Sequence, residues 1–321
     1  MHFPPSLRKW LGSGLDFGND LRLEKRRRAA EEALRVEISW LQADGELRAR
    51  LCTGRTDVVL GLAMGYGVRE LAPFVLSLRG CGYRGEVVLF STAGTPETNA
   101  FLRAHNIRSV PSAALHKMPM SMNSARFFRY LDWLAEQALN APEEAIPRRI
   151  LLCDVRDAVF QSNPFAAADR AELRFHMETG PTIGACPTNS EWISRTMGEA
   201  VLAEIGACPV SCAGTLIGGS TLVYDYLLEM VSLMNEVPVA SRFTGVDQAI
   251  HNVILWRDLI PGSKVIPNGS EVLTVPEAGI AELAILDGHV VRNANGSTSA
   301  IIHQYDRDPT VRAAIEKAYA V

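Results

Sequence analysis

The sequence of 321 residues lacks three features that would indicate a function class directly. It has no excess of positive charge, because 32 Lys and Arg against 36 Asp and Glu give a net charge of −4, so nucleic-acid binding is disfavoured. It has no apolar run near the roughly 20 residues that a membrane-spanning helix needs. It begins without the apolar region and small-residue cleavage site of a secretory signal. We therefore expect a cytoplasmic protein that does not cross a membrane.

Cysteines with metal-binding spacing are also missing. Six cysteines are scattered through the chain, and none stands in a Cys-x-x-Cys pair. The nearest approach, Cys208 and Cys212, has three residues between its members and no histidine-rich segment to complete a zinc site. We expect free thiols, as in most cytoplasmic proteins.

The residues that are present are those of a globular protein, with 47% hydrophobic and 21% charged residues. The first 55 residues differ from the rest, because residues 21–41 are dense in charge and include the run Arg26-Arg27-Arg28. This pattern predicts an amphipathic helix, which either caps the protein or lies on anionic lipid headgroups at the inner face of the membrane. We predict an N-terminal helical extension over residues 1–55 and a single domain over residues 56–321.

From residue 57 onward, short apolar runs alternate with segments of helical period. The predicted strands cover residues 57–63, 86–90 and 150–153, and the predicted helices cover 68–78, 96–105 and 123–139. This alternation predicts an α/β fold, with a Rossmann-like, mixed but mainly parallel sheet flanked by helices. Ligands bind at the carboxyl ends of the strands in such sheets, so the residues after Cys153 are the first candidates for a site.

Two carboxylates, Asp154 and Asp157, directly follow the third predicted strand. Their mutual repulsion at the mouth of a buried strand is costly unless a cation or hydrogen-bond donors offset it. A hard divalent ion, Mn²⁺ or Mg²⁺, is one solution, because it takes carboxylate oxygens and completes its shell with water and phosphate oxygens. The alternative is structural, with Asp154 capping the next turn and Asp157 paired to Arg156. On this segment alone, both interpretations stay open.

Four further segments carry candidate functional residues, and three of them also have a structural explanation. They contain Arg126 with Arg129, Gly214, Asp247 with Gln248, and His303. The arginines lie three residues apart on one face of a predicted helix, where they are either ligands or surface cations. The glycine lies in a small-residue segment, which either admits a ligand close to the backbone or makes a turn between core elements. The histidine follows a short β-branched run, where a hydrogen-bonded core histidine without a ligand is the usual case.

Taken in order, these segments resemble the GT-A glycosyltransferases, most closely the retaining group that includes glycogenin and the bacterial lipopolysaccharide galactosyltransferases. That family shows a nucleotide-contacting loop after the first strand, an Ala-Arg helix, an Asp-x-Asp motif, a small-residue segment, an Asp-Gln helix and a late metal-binding His. The matching residues are Ala63-Met64-Gly65-Tyr66, Ala125-Arg126, Asp154 with Asp157, Cys212-Ala213-Gly214, Asp247-Gln248 and His303. The resemblance implies a GT-A type fold from residue 57 to about residue 306.

The resemblance also implies an activity and its partners. The activity is metal-dependent transfer of a sugar from a nucleoside-diphosphate sugar to a saccharide or other hydroxyl acceptor, in the synthesis of surface polysaccharide or glycoconjugates. Asp157 and His303 would bind Mn²⁺ or Mg²⁺, and Asp154 would bridge the metal and the ribose.

The resemblance gives roles to the remaining candidates. Ala63, Gly65, Tyr66 and Gly214 would contact the nucleotide sugar, with the Tyr66 ring stacked on the base. Arg126 and Arg129 would reach the donor phosphates or sugar and stabilise the leaving charge. Asp247 and Gln248 would face the sugar and the acceptor, and Asp247 would act as a general base if the reaction inverts the sugar configuration.

The sequence departs from the family pattern at the metal motif, because two residues separate Asp154 from Asp157. Either Asp157 takes the second metal position after a small bulge, as we expect, or Arg156 replaces it and contacts the diphosphate. Two other functions stay open: a nucleotidyltransferase, and a non-catalytic protein that binds a nucleotide sugar or a partner. The polar segment 170–209 is interpreted as a loop insertion that sets the choice of acceptor.

Overall fold

The computed structural model describes residues 44–276, 284–286, 290–292 and 296–321, which form a mixed α/β structure. Its helices are α1 Asp44–Cys52, α2 Val68–Gly80, α3 Pro96–Ala104, α4 Met122–Asn140, α5 Pro187–Met197, α6 Glu199–Ile205, α7 Ser220–Glu236, α8 Val246–Trp256 and α9 Pro309–Ala318. Its strands are β1 Thr56–Ala63, β2 Glu86–Ser91, β3 Arg108–Pro111, β4 Pro147–Cys153, β5 Ala158–Phe160, β6 Leu173–Thr182, β7 Pro209–Gly219, β8 Ser263–Ile266, β9 Val272–Thr274, β10 Ala284–Leu286, β11 Val290–Arg292 and β12 Ile301–His303.

The main sheet has seven strands in the order β3-β2-β1-β4-β7-β6-β8. The pairs β3–β2, β2–β1, β1–β4 and β6–β8 are parallel, whereas β7 runs antiparallel to both β4 and β6. A second sheet has three strands in the order β5-β12-β9, and β10 pairs with β11 in a hairpin. The expected fold class, a mixed and mainly parallel sheet flanked by helices, is confirmed.

Both faces of the main sheet are covered, as continuous apolar strands require. Alternate residues of β1 show this, because Val58 and Leu60 pack into one core together with α4, α7 and α8. Val59 and Ala63 point to the opposite core, where α2 and β5 lie. The carboxyl ends of the parallel strands are therefore the part of the sheet open to a ligand.

The local predictions agree with the observed elements to within a few residues at each end. One prediction about the chain path was wrong, because the segment 170–209 is not a loop insertion. It forms strand β6 and helices α5 and α6. Pro187 stands in the first turn of α5, where its missing N–H costs nothing, and Ile193 and Ile205 are buried against Val253 of α8. Apolar residues spaced along a mostly polar segment were enough to fold it onto the core.

The predicted extension over residues 1–55 is described only from residue 44. There α1 packs on the main domain, because Leu47 and Leu51 are fully buried in the core that also contains residues of α4 and α7. The amphipathic helix over 21–41 lies outside the described residues. Within the described ranges, no helix combines the length and apolarity that crossing a bilayer requires.

Candidate active site

Two sheets contribute to one site at the carboxyl ends of β1 and β4, which are parallel neighbours. Asp154 follows β4 directly, and its backbone N–H donates to the carbonyl oxygen of Gly214 in β7 at 2.8 Å. His303, the last residue of β12, is paired with Ala158 of β5 and Thr274 of β9. Backbone pairing on both sides therefore fixes the imidazole relative to the end of β4.

Asp154, Asp157 and His303 come together at this point. The Nε2 atom of His303 lies 3.5 Å from Oδ2 of Asp154 and 4.0 Å from Oδ1 of Asp157. One ligand atom from each residue can be chosen so that all three lie within 4.8 Å of one another. The two residues between the carboxylates do not keep them apart, and Asp157, rather than Arg156, is the residue beside the histidine.

The three side chains fit a divalent cation. The Nε2 atom of His303 is buried and has no hydrogen-bond partner among the described residues, which is the state of a ligand atom prepared for a metal. Gly214 leaves the necessary space, because a Cβ atom there would lie 2.5 Å from that nitrogen and 2.7 Å from Oδ2 of Asp154. Two carboxylate oxygens and one imidazole nitrogen suit Mn²⁺ and admit Mg²⁺.

Charge in the cluster is unevenly compensated. Burial alone would raise the pKa of Asp154, but Arg126 and His303 outweigh it and hold the pKa below its usual range. Burial, opposed by His303 and reinforced by Asp154, raises the pKa of Asp157. Burial would lower the pKa of His303, yet Cys212 and the two carboxylates raise it well above its ordinary value. A bound cation would compensate the Asp157 carboxylate and take the place of the imidazole proton.

Arg126 lies between two carboxylates of the site, as the first turns of α4 direct it. The cap of this helix is Ser121, whose hydroxyl accepts from the N–H of Ser124 at 3.1 Å. The Arg126 guanidinium is 7% exposed, donates to Oδ1 of Asp154 and lies 3.6 Å from Oδ2 of Asp247. A single buried cation therefore connects the end of β4 to the start of α8.

Asp247 and Gln248 have different surroundings although they are neighbours in α8. The Asp247 carboxyl is buried, and burial, opposed by Arg126, raises its pKa. The Gln248 amide is bonded to β7 at both ends: Oε1 accepts from the N–H of Ala213 at 2.9 Å, and Nε2 donates to the carbonyl of Ser211 at 2.8 Å. Gln248 therefore holds the strand that carries Gly214, and Asp247 is the residue that meets the charged cluster.

The loop after β1 reaches the same site. Ala63 ends β1, and Gly65 has a φ of 77°, a left-handed conformation that favours glycine. The Gly65 N–H donates to the hydroxyl of Thr92 after β2 at 3.2 Å. Burial raises the pKa of Tyr66, and the charges that act on its phenol are those of Arg156, Asp154, Asp157 and Arg126. The Tyr66 phenol therefore lies within electrostatic range of the carboxylate cluster.

Two arginines that were predicted to bind the sugar donor, Arg129 and Arg156, differ in their distance from the carboxylate cluster. Arg129 pairs with Asp132 one turn along α4 and stacks over the ring of Phe90 at 5.3 Å, so its described contacts are outside the cluster. Arg156 is 55% exposed and pairs with Asp306 at 3.1 Å and with Asp157 at 3.8 Å. Of the two cations, Arg156 is the one held beside the candidate metal ligands.

Two further side chains support the site, Cys212 beside the histidine and Asn252, which is bonded to strand β7. Cys212 places its sulfur 3.6 Å from Nδ1 of His303, and Asn252 bonds both the N–H and the carbonyl of Ser211, at 2.8 and 2.9 Å. Periodicity was the available signal, because Cys212 and Gly214 share one face of a strand. Asn252 likewise stands four residues after Gln248 on one face of a helix.

Comparison with known proteins gives matches among solved structures, whereas no family model and no curated protein matches the sequence. The galactosyltransferase LgtC, in complex with donor and acceptor sugar analogs, is similar over 83% of this chain and 96% of that chain, with 14% identity and a TM-score of 0.49. An active-site mutant of LgtC has the same coverage, 16% identity and a TM-score of 0.48. A mycobacterial protein covers 69% of this chain and 68% of its own, with 17% identity and a TM-score of 0.40. The chain is thus similar in fold to a solved galactosyltransferase.

Proposed function

We propose that this protein is a divalent-metal-dependent glycosyltransferase. It would move a sugar from a nucleoside-diphosphate donor to a hydroxyl group of a saccharide or other acceptor. One observation carries the proposal: the ligand atoms of Asp154, Asp157 and His303 converge within 4.8 Å at the carboxyl ends of parallel strands, next to the buried Arg126. A divalent cation and arginine guanidinium groups both bind diphosphate oxygens well, and the residues of this cluster would supply both.

Asp154, Asp157 and His303 are the residues that would hold the metal. The imidazole nitrogen favours Mn²⁺ over Mg²⁺, which prefers an all-oxygen shell. Bound there, the ion would supply positive charge to the diphosphate as its bond to the sugar breaks.

The two arginines of the site, Arg126 and Arg156, would have different roles in compensating negative charge. Arg126 is already paired with Asp154 and Asp247, so its role is to hold these two carboxylates in place and to add positive charge near the leaving group. Arg156 lies at the exposed side of the cluster and is held by Asp306. Its guanidinium can exchange that carboxylate for diphosphate oxygens, which it matches with two parallel hydrogen bonds.

Asp247 would face the sugar and the acceptor from the start of α8. We propose that the sugar configuration is retained, as in the group that the motifs resemble, so that Asp247 orients substrate hydroxyls and stabilises charge at the reacting carbon. Gln248 supports that geometry through β7, because both ends of its amide are bonded to the backbone there. Proton NMR of the first product formed would show the anomeric configuration.

The acceptor would belong to the synthesis of surface polysaccharide or glycoconjugates. A cytoplasmic location with peripheral membrane contact through residues 21–41 would bring the enzyme to lipid-linked acceptors. Sedimentation of the full chain with vesicles of 30 mol% anionic lipid, compared with neutral vesicles, tests this part of the proposal.

The test of the catalytic proposal begins with the ion and the donor. Thermal shift with MnCl₂ and a panel of UDP and GDP sugars identifies the donor, and release of nucleoside diphosphate then measures turnover. We expect activity with Mn²⁺, loss of activity with EDTA, and loss in Asp157→Asn, which removes a ligand charge. Asp258→Asn is the matched control, because Asp258 is exposed beyond the far end of α8.

The products separate the competing functions. A glycosyltransferase releases nucleoside diphosphate from a nucleotide sugar. A nucleotidyltransferase instead releases pyrophosphate from a nucleoside triphosphate. A non-catalytic protein would bind the nucleotide sugar in calorimetry without turnover. Activity that persists in EDTA, or an unaffected Asp157→Asn variant, would disprove the metal site.

A further inference from the structure

Gln304, which directly follows His303, has an unusual backbone. Its φ and ψ angles are 56° and 36°, in the left-handed region that side chains other than glycine rarely adopt. The other non-glycine residues of the described chain with positive φ are Asn106 and Asp258. Asparagine and aspartate tolerate this region because their short side chains bond locally, but glutamine has no such compensation. Strain of this kind concentrates at functional sites.

The side chain of Gln304 is incompletely bonded. Its Nε2 atom lies 3.9 Å from the sulfur of Cys212, which in turn contacts Nδ1 of His303. Its Oε1 atom is buried and has no hydrogen-bond partner among the described residues. A buried carbonyl oxygen without a partner is costly, so an incoming hydrogen-bond donor would stabilise it.

The corner that carries Gln304 is held on both sides. Before it, the carbonyl of His303 accepts from the N–H of Val275 at 2.9 Å. After it, the N–H of Tyr305 donates to the carbonyl of Asp157 at 3.4 Å. The backbone of Gln304 is therefore fixed between two of the candidate metal ligands. A glycine would make the same turn without strain, so the turn itself does not account for glutamine.

We propose that the Gln304 side chain binds a hydroxyl group of the nucleotide-sugar donor. This inference rests on the proposed function. The unpartnered Oε1 atom accepts hydrogen bonds, and the diphosphate offers only acceptors at neutral pH, so the diphosphate cannot be its partner. The hydroxyl groups of the transferred sugar and of the ribose are donors of the required kind. Gln304 is thus a substrate-binding residue beside the metal cluster.

The Gln304→Gly variant tests this role, because it removes the amide and keeps the backbone conformation. Metal-free Gln304→Gly should melt at the wild-type temperature or higher, since the left-handed strain is relieved. Calorimetry in MnCl₂ with UDP-galactose and UDP, and with GDP-mannose and GDP, then measures affinity. We expect about tenfold weaker binding of whichever nucleotide sugar binds the wild type, as for one lost hydrogen bond to a buried group.

The comparison of diphosphate with nucleotide sugar shows which hydroxyl is bound. Weaker binding of the nucleotide sugar alone supports a contact with the transferred sugar, and equal weakening of the free diphosphate supports a contact with the ribose. Unchanged affinity for both would overturn the inference while leaving the proposed function intact. A wild type that binds none of the four probes would instead overturn the proposed function. Asp258→Gly is the control, since it places glycine at another residue with positive φ, which is exposed and lies two residues beyond the end of α8.

Discussion

At the scale of single residues, the space beside the metal ligands matters as much as their charge. A Cβ atom on Gly214 would lie 2.5 Å from Nε2 of His303 and 2.7 Å from Oδ2 of Asp154. Gly214→Ala must displace one of these ligand atoms, so we expect Mn²⁺ affinity, measured by calorimetry, to fall at least about tenfold. The control is Gly45→Ala in α1, where an added Cβ meets nothing within 4 Å. Equal Mn²⁺ affinity in both variants would contradict the proposed ligand set.

Arg126 gives a second prediction at this scale. Its guanidinium compensates Asp154 and Asp247 in a buried setting. Arg126→Met leaves both carboxylates without that cation, so we expect the free energy of unfolding in urea at pH 7 to fall by about 3 kcal/mol. Arg129→Met on the same helix is the control, because Arg129 pairs with the single carboxylate of Asp132, and a loss below about 1 kcal/mol is expected. Similar losses of unfolding free energy in both variants would show that Arg126 contributes no more than the single ion pair of Arg129.

At the scale of elements, α8 presents a buried polar face to β7. Within it, His251 bonds the hydroxyl groups of Ser211 and Tyr226 at 2.9 and 2.8 Å. Burial, with His176 and Arg126 nearby, lowers the pKa of His251 to about 3. An unfolded histidine has a pKa near 6.5, so below that pH the unfolded chain binds a proton that the folded chain does not. Stability is therefore lost as the pH falls from about 6.5 towards 3.

We predict how steeply the free energy of unfolding falls as the pH is lowered. Between pH 6 and pH 5, His251 should cost the wild type on the order of 1 kcal/mol of unfolding free energy. His251→Gln keeps a hydrogen-bonding side chain without the titration, so urea unfolding at the two pH values should show a shallower dependence. His116→Gln, at an exposed histidine, should keep the wild-type slope. If His251→Gln kept that slope too, the buried histidine would not be its source.

Elements whose pattern is local could be predicted from the sequence. β1, β2 and β4 each contain a continuous apolar run, and α2 and α4 repeat their apolar residues at helical spacing, so neighbouring residues define them. The three-stranded sheet was not foreseen, because β5, β9 and β12 have three residues each and form through pairing partners far along the chain. The same reason explains α5 and α6, whose apolar residues pack against residues of α8 far along the chain.

The site was predictable to the same extent. The order of motifs gave Asp154, Asp157 and His303, since Asp154 directly follows β4, Asp157 directly precedes β5 and His303 is the last residue of β12. The order of motifs could not predict which groups the side-chain amide of Gln248 bonds. Gln248 bonds to β7, where the register with β6 shifts, and that shift depends on strand pairing rather than on residues near Gln248.

On the scale of the whole molecule, the candidate metal ligands belong to two sheets. Asp154 follows β4 of the seven-stranded sheet, whereas His303 ends β12 of the three-stranded sheet. Helix α9 packs on that smaller sheet, because Val311 and Ile315 lie in one core with Ile302. An ion bound to both aspartates and the histidine would connect the carboxyl-terminal part of the chain to the main sheet.

This connection predicts where Mn²⁺ stabilises the protein. At a free concentration of 100 times Kd, Mn²⁺ should add about 2.7 kcal/mol to the free energy of unfolding, and EDTA should reverse it. Amide hydrogen exchange should slow most in β12 and α9, whose local opening breaks the contact between His303 and Asp154, and least in β2 and β3 at the far edge. Asp157→Asn should remove both effects. Uniform slowing across β3 and β12 would mean that the two sheets already open together, so that the ion stabilises one cooperative unit rather than joining two.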